Sequence, residues 1–133
     1  MREIKFRGKK ICSSEWVSGY YYWNDCDNKP YIIIDYHEEY EVEFESIYQF
    51  SGLCDNSNNK NEVYEGDIIE QFEWKGEYYI VEFVDCAFYA ILRNNNVPER
   101  LRTKHIKLDE MYDFQVVGNK YENPELLKGG EIK

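Results

Sequence analysis

The spacing with the clearest chemical potential is Tyr64-Glu65-Gly66-Asp67, two carboxylates either side of a glycine. Carboxylates held this close on a turn suit a cation or general acid–base work. The same residues suit a plain turn before an apolar strand, because Gly66 offers a permissive backbone and Asp67 can accept from nearby amides. The turn is the preferred reading, with an enzyme acting through Glu65 and Asp67 as an alternative. His37-Glu38-Glu39-Tyr40-Glu41 begins like a zincin motif, but Glu41 stands where the second histidine belongs. On a strand, His37 and Glu41 would also be too far apart to share a metal. His105 lies between Lys104 and Lys107 with no nucleophile or acid paired to it in sequence. Asn119 and Asn123 flank Tyr121 and are best placed to cap backbone groups. No phosphate loop, dinucleotide fingerprint, nucleophile elbow or deaminase motif occurs, so no catalytic residue, cofactor or metal is expected. Cys12, Cys26, Cys54 and Cys86 form no C-x-x-C pair and read as free thiols in a reducing cytosol.

The elements that would position these residues are mostly strands. Tyr40–Glu45 alternates strictly, with Tyr40, Val42 and Phe44 on one face and glutamates on the other. Tyr31–Ile34 is a short apolar run and reads as a buried strand. Trp16–Trp23 is a further strand, with Gly19 a bulge or a site of close backbone approach. Asn24–Lys29 is turn chemistry, and Asp55–Asn61 is a polar exposed loop. Ile68–Trp74, Tyr78–Val84 and Ala87–Leu92 form a meander, turned at Lys75-Gly76-Glu77 and closed by Arg93–Asn96. Phe114–Gly118 is a late strand. Asn123-Pro124-Glu125-Leu126-Leu127 starts a short C-terminal helix or 3₁₀ turn, and Leu108–Tyr112 is the one other place for a helix. The fold expected is mainly β, or β-rich α+β, with antiparallel strands curled into a small barrel-like sheet.

Composition agrees with strands. Of 133 residues, thirteen are tyrosine, seven phenylalanine and three tryptophan, and aromatics favour pleated, half-buried surfaces. Only Ala87 and Ala90 supply the best helix former. The length suits one domain over residues 1–133. Met1–Lys10 leads into Ile11-Cys12-Ser13-Ser14, not into the apolar run of a signal peptide, and no stretch approaches membrane-spanning length. Net charge is −10 with a pI near 4.7, which argues against a general nucleic-acid binder. Bases cluster at Met1–Lys10 and Arg93–Lys107, and acids at Glu38–Glu45 and Glu62–Glu77. Such segregation suits pairing within the fold or across an oligomer better than a dedicated patch.

Four blocks, in order, resemble the YopX family of phage and prophage proteins. They are Arg2-Glu3-Ile4-Lys5-Phe6-Arg7-Gly8, Trp16-Val17-Ser18-Gly19, the central Gln49–Asp55 with Glu62–Ile69, and Val116–Leu127. The Asp55–Tyr64 loop is longer than is usual there and lacks a turn glycine, and residues 24–46 and 85–113 match no block. The resemblance implies a largely β phage product working in the bacterial cytoplasm, and it transfers no catalytic residue.

The function expected is a non-enzymatic interaction module for a host or phage protein, with Tyr20, Tyr22, Trp23, Tyr64, Glu65 and Asp67 as candidate contact residues. Tyrosine is favoured at interfaces, and so many aromatics exceed what a core this size hides. A homo-oligomer with Tyr20, Tyr22 or Trp23 at its contact is expected on the same ground. A second alternative is an acidic decoy whose glutamates at alternate positions of Glu39–Glu45 imitate phosphates.

Overall fold

The computed structural model describes residues 4–35, 38–73, 76–92, 105–111 and 113–128. The chain clusters into two compact units, Met1–Gly52 and Leu53–Lys133. The expected positions His37, Trp74, Lys75, Tyr112 and the basic stretch from Arg93 to Lys104 lie outside the described residues, as does the His105 side chain.

In the first unit, β1 (Phe6–Lys9), β2 (Trp16–Asn24), β3 (Lys29–Asp35), β4 (Glu38–Glu41) and β5 (Tyr48–Cys54) form an antiparallel sheet in the order β4-β3-β2-β1-β5. Alternation along β2 and β3 turns Val17, Tyr21 and Ile32 to one face, where they pack with Val42, Phe6, Tyr40 and Ile47. The β2–β3 turn uses the expected residues: Asn24 Oδ1 accepts from the Cys26 N–H at 2.8 Å, and Asn28 adopts φ 59°. Gly19 is a site of close approach and not a bulge. Its register with Phe6 is unbroken, and a Cβ there would stand 2.2 Å from the Ile33 carbonyl oxygen.

The alternating run Tyr40–Glu45 is not one strand. β4 ends at Glu41, Val42 makes an isolated bridge to Lys10, and Phe44–Ser46 is a 3₁₀ turn. Ser46 ends the strand: its buried hydroxyl donates to the Glu43 carbonyl at 2.6 Å and accepts the Lys9 N–H at 2.8 Å. That local bond competes with ladder pairing and turns Phe44 outward, leaving it 62% exposed.

In the second unit, β6 (Glu62–Tyr64) leads through Glu65 and Gly66 into the strands that follow. Then β7 (Asp67–Gln71), β8 (Tyr79–Val84), β9 (Ala87–Leu92), β10 (His105–Lys107) and β11 (Phe114–Asn119) make a sheet in the order β10-β9-β8-β7-β11. The expected meander is present as β7-β8-β9, antiparallel throughout, although β7 stops at Gln71. Its core is Ile69, Tyr79, Val81, Phe88, Ala90 and Leu92, closed by Val63, Leu108, Met111 and Phe114.

The expected barrel does not close. β10 and β11 stand at opposite ends of an open sheet. The outward edge of β11 is already satisfied: the Phe114 N–H donates to Asn56 Oδ1 at 3.0 Å and the Val116 N–H to Asp55 Oδ2 at 2.9 Å. Side-chain acceptors on these two N–H groups occupy the edge that a closing strand would have to pair with. The expected C-terminal helix is also replaced. Pro124–Lys128 is a five-residue 3₁₀ turn in which the Leu126 N–H reaches the Asn123 carbonyl, and Gly129-Gly130 follow in sequence. So short a segment cannot offset α-helix nucleation. Leu108–Glu110 is likewise a 3₁₀ turn.

The two-residue turn between β8 and β9 places Asp85 at φ 51° and Cys86 at φ 66°. Two left-handed residues in a tight hairpin are the pattern that Asn-Gly fills without strain. Asp85→Asn with Cys86→Gly is therefore expected to stabilise the protein by about 1 kcal/mol, read as a higher urea midpoint at unchanged slope. A lower midpoint would contradict this account of the turn.

Candidate functional site

Strand alternation sorts the aromatic residues of β2. Tyr20 and Tyr22 share one face, while Trp23 points to the other, beside Pro30. There Trp23 meets Phe44 edge-on at 6.3 Å, and both are exposed. The three candidate aromatics thus lie on two surfaces.

The Tyr20 face is built by register. β2–β3 pairing sets Tyr20 against Ile33 and Tyr22 against Tyr31, and β3–β4 pairing adds Glu39 beside Ile33 and Glu41 beside Tyr31. Tyr20 is 63% exposed, and Tyr22, Tyr31 and Ile33 are half-buried. Tyr22 and Tyr31 stack at 5.5 Å with planes 20° apart. The Tyr22 hydroxyl donates to Glu39 Oε1 at 3.0 Å, and the Tyr31 hydroxyl to Asp27 Oδ2 at 2.5 Å. The Asp27 carboxylate, which favours the protonated phenol it accepts from, pushes Tyr31 up to about 12. Burial, then the Glu39 carboxylate, raises Tyr22. Both phenols therefore stay neutral donors near pH 7 and are suited to recognition, not to proton abstraction.

Charge is graded across this face. On the β1 side, the Arg7 guanidinium sits 4.9 Å from the Trp16 ring and 5.5 Å from the Tyr48 ring, and Lys9 lies 5.9 Å from Trp16. Lys5 sits 4.9 Å from the Phe50 ring. On the β4 side stand Glu39 and Glu41, the latter 3.8 Å from Lys29. Cations, aromatics and anions follow one another from β1 to β4. The break at Val42 leaves only Glu39 and Glu41 of the proposed glutamate row on this strand, so Glu43 and Glu45 do not extend it.

Tyr64-Glu65-Gly66-Asp67 folds as the turn from β6 into β7. Asp67 is 1% exposed and its Oδ2 accepts the Tyr64 N–H at 2.8 Å. Gly66 takes φ 87° and is held by Val81 and Lys120 backbone groups. Tyr64 is buried, its hydroxyl donating to Glu62 at 2.9 Å; Glu65 is half-buried. Asn119 and Asn123 cap as expected: Asn119 Oδ1 accepts from the Tyr121 and Glu122 N–H groups, and Asn123 Oδ1 from the Asn119 N–H. Cys12, Cys26, Cys54 and Cys86 are all exposed free thiols.

Sequence reading missed Tyr31, Ile33 and the β1 cations as neighbours of Tyr20 and Tyr22. The signal was present: once Asn24 pairs with Lys29 across the turn, Tyr22 must oppose Tyr31 and Tyr20 must oppose Ile33. Among the described residues no helix is long and apolar enough to cross a membrane. The family model described as YopX protein matches residues 5–128. No curated protein matches the chain.

Proposed function

The chain belongs to the YopX family of phage-type proteins, and on that footing we propose that it is a non-enzymatic module that binds another protein in the bacterial cytoplasm. The observation that supports this reading is the exposed face of β2 and β3, where Tyr20, Tyr22, Tyr31 and Ile33 lie between cations and anions. Rigid aromatic groups flanked by charge are what protein interfaces use as anchors and rim. Tyr64 and Asp67 are occupied within their own turn, so the reading rests on the sheet face. Net charge of −10 favours a protein over a nucleic acid as partner.

The test is affinity capture from bacterial lysate with the immobilised chain beside its Tyr20→Glu variant. Tyr20 is 63% exposed, so the substitution alters the surface and not the core. A protein retained by the native chain and lost with the variant is the expected result. Equal retention by both, or retention of nothing, would remove this face as the binding surface.

A further inference from the structure

We propose that the partner on the Tyr20 face is an extended, arginine-bearing segment of another protein, its alternate side chains crossing Ile33 and Tyr31 towards Glu39 and Glu41. This rests on the interaction reading above and gives the partner its chemistry. The ground is a local excess of negative charge beside the exposed tyrosines. Between Asp25 and Glu41 the chain carries Asp25, Asp27, Asp35, Glu38, Glu39 and Glu41 against Lys29 alone, with His37 neutral. Six carboxylates less one ammonium make this stretch the source of half the net charge of −10.

Register sets the acids at the height of the tyrosines. Tyr20, Ile33 and Glu39 form one row across β2, β3 and β4, and Tyr22, Tyr31 and Glu41 form the next. The β1 cations stand elsewhere along the strands: Arg7 pairs with Ser18 and Lys9 with Trp16, on the side of Tyr20 away from Tyr22. Both already lie against rings of their own sheet. Glu39 is exposed and accepts from the Tyr22 hydroxyl, as Asp27 accepts from Tyr31. A neutral phenol engages one carboxylate oxygen and leaves the charge uncancelled. Lys29 offsets Glu41 only at 3.8 Å, with both side chains partly in solvent.

Spacing and side-chain chemistry then name the occupant. Residues two apart on an extended chain sit about 7 Å apart, which is also the separation of Glu39 from Glu41 along β4. Arginine keeps its charged head in water while its stem covers apolar surface, and half-buried Ile33 offers that surface. Its planar guanidinium stacks on tyrosine, and Tyr20 is 63% exposed. It also bonds a carboxylate through two N–H groups. A metal ion suits the face less well, because among the described residues no three His, Cys, Asp or Glu side chains are grouped to hold one. Nucleic acid meets charge of its own sign.

The experiment is fluorescence anisotropy of a short labelled peptide alternating arginine and threonine, titrated with the full purified chain. A peptide alternating glutamate and threonine is the comparison. Saturable binding of the arginine peptide alone is expected, weakening as salt rises. Tyr20→Ala should weaken it about tenfold, and Glu39→Gln about threefold or more. Glu45→Gln removes the same charge from an exposed site beyond β4 and should change binding less than about twofold. Far-UV circular dichroism checks that the variants remain folded. Equal losses from Glu39→Gln and Glu45→Gln, or binding indifferent to Tyr20→Ala, would overturn this face as the site. Failure of the arginine peptide to bind, or equal binding of the glutamate peptide, overturns the proposed partner chemistry. Capture of a lysate protein that Tyr20→Glu abolishes would then still stand, with a partner of another kind.

Discussion

Replacing Asp55 with alanine is expected to destabilise the protein by about 4 kcal/mol, a large share of the stability a domain of this size has. The residue sits at the start of a polar loop yet is only 2% exposed. Its Oδ1 accepts from the Ser57 N–H at 3.2 Å, the Ser57 hydroxyl at 2.8 Å and the Asn61 N–H at 2.9 Å. Its Oδ2 accepts the Val116 N–H at 2.9 Å and the Asn61 side-chain amide at 3.3 Å. Alanine would leave the Val116 donor without that acceptor on the edge of β11 and would release the loop from its anchor. Charged acceptors make the stronger hydrogen bonds, and removing one from several donors leaves desolvated groups behind. Urea unfolding measures the effect, and a loss below about 1 kcal/mol would contradict the role assigned to this carboxylate.

The same carboxylate makes a prediction about acid. Burial disfavours its charged form, but hydrogen bonds from Val116, Ser57 and Asn61 outweigh burial and hold the folded pKa below the ordinary value. Because the folded value lies below the unfolded one, near 4, the contribution is complete above about pH 4. It is lost as pH falls through the folded value. Asp55→Asn should remove this component of the acid limb, so that native and variant stabilities converge as pH drops below 4.

Gly19→Ala is expected to cost about 3 kcal/mol or more, an unusual penalty for adding one methyl group. A Cβ at residue 19 would lie 2.2 Å from the Ile33 carbonyl oxygen, 3.0 Å from the Ile33 carbonyl carbon and 3.3 Å from Ile32 Cγ2. The first two atoms are backbone of β3, so no rotamer change relieves the clash and the strands must part. Separation would disturb the adjoining Tyr20–Ile33 and Tyr21–Ile32 pairs, one on the exposed face and one in the core. A fall in thermal midpoint, together with weaker binding through the Tyr20 face, is the expected signature. A variant within about 1 kcal/mol of native would mean that β2 and β3 separate more easily than this packing implies.

Local chemistry was legible because its causes lie within a few residues. Turn residues marked Asn24–Lys29, and β-branched and aromatic content marked β3, β8 and β9, the last over its full range Ala87–Leu92. The same holds for the Glu65-Gly66-Asp67 turn, in which Asp67 reaches an amide three residues away. The four family blocks needed only residue order, and the family model spans residues 5–128. What tertiary structure decided was set by partners distant along the chain. The run Tyr40–Glu45 has perfect strand periodicity, yet it ends early because Ser46 meets the Lys9 backbone 37 residues away. The barrel stays open because Asp55, inside what composition marks as an exposed loop, reaches Val116 across 61 residues. The candidate face depends on the same kind of information. Alternation alone separates Tyr20 and Tyr22 from Trp23, but only the pairing of β1 to β4 places cations, aromatic rings and carboxylates side by side. Periodicity reports which way a side chain points; hydrogen-bonded register reports what stands next to it, and a binding surface is made of neighbours.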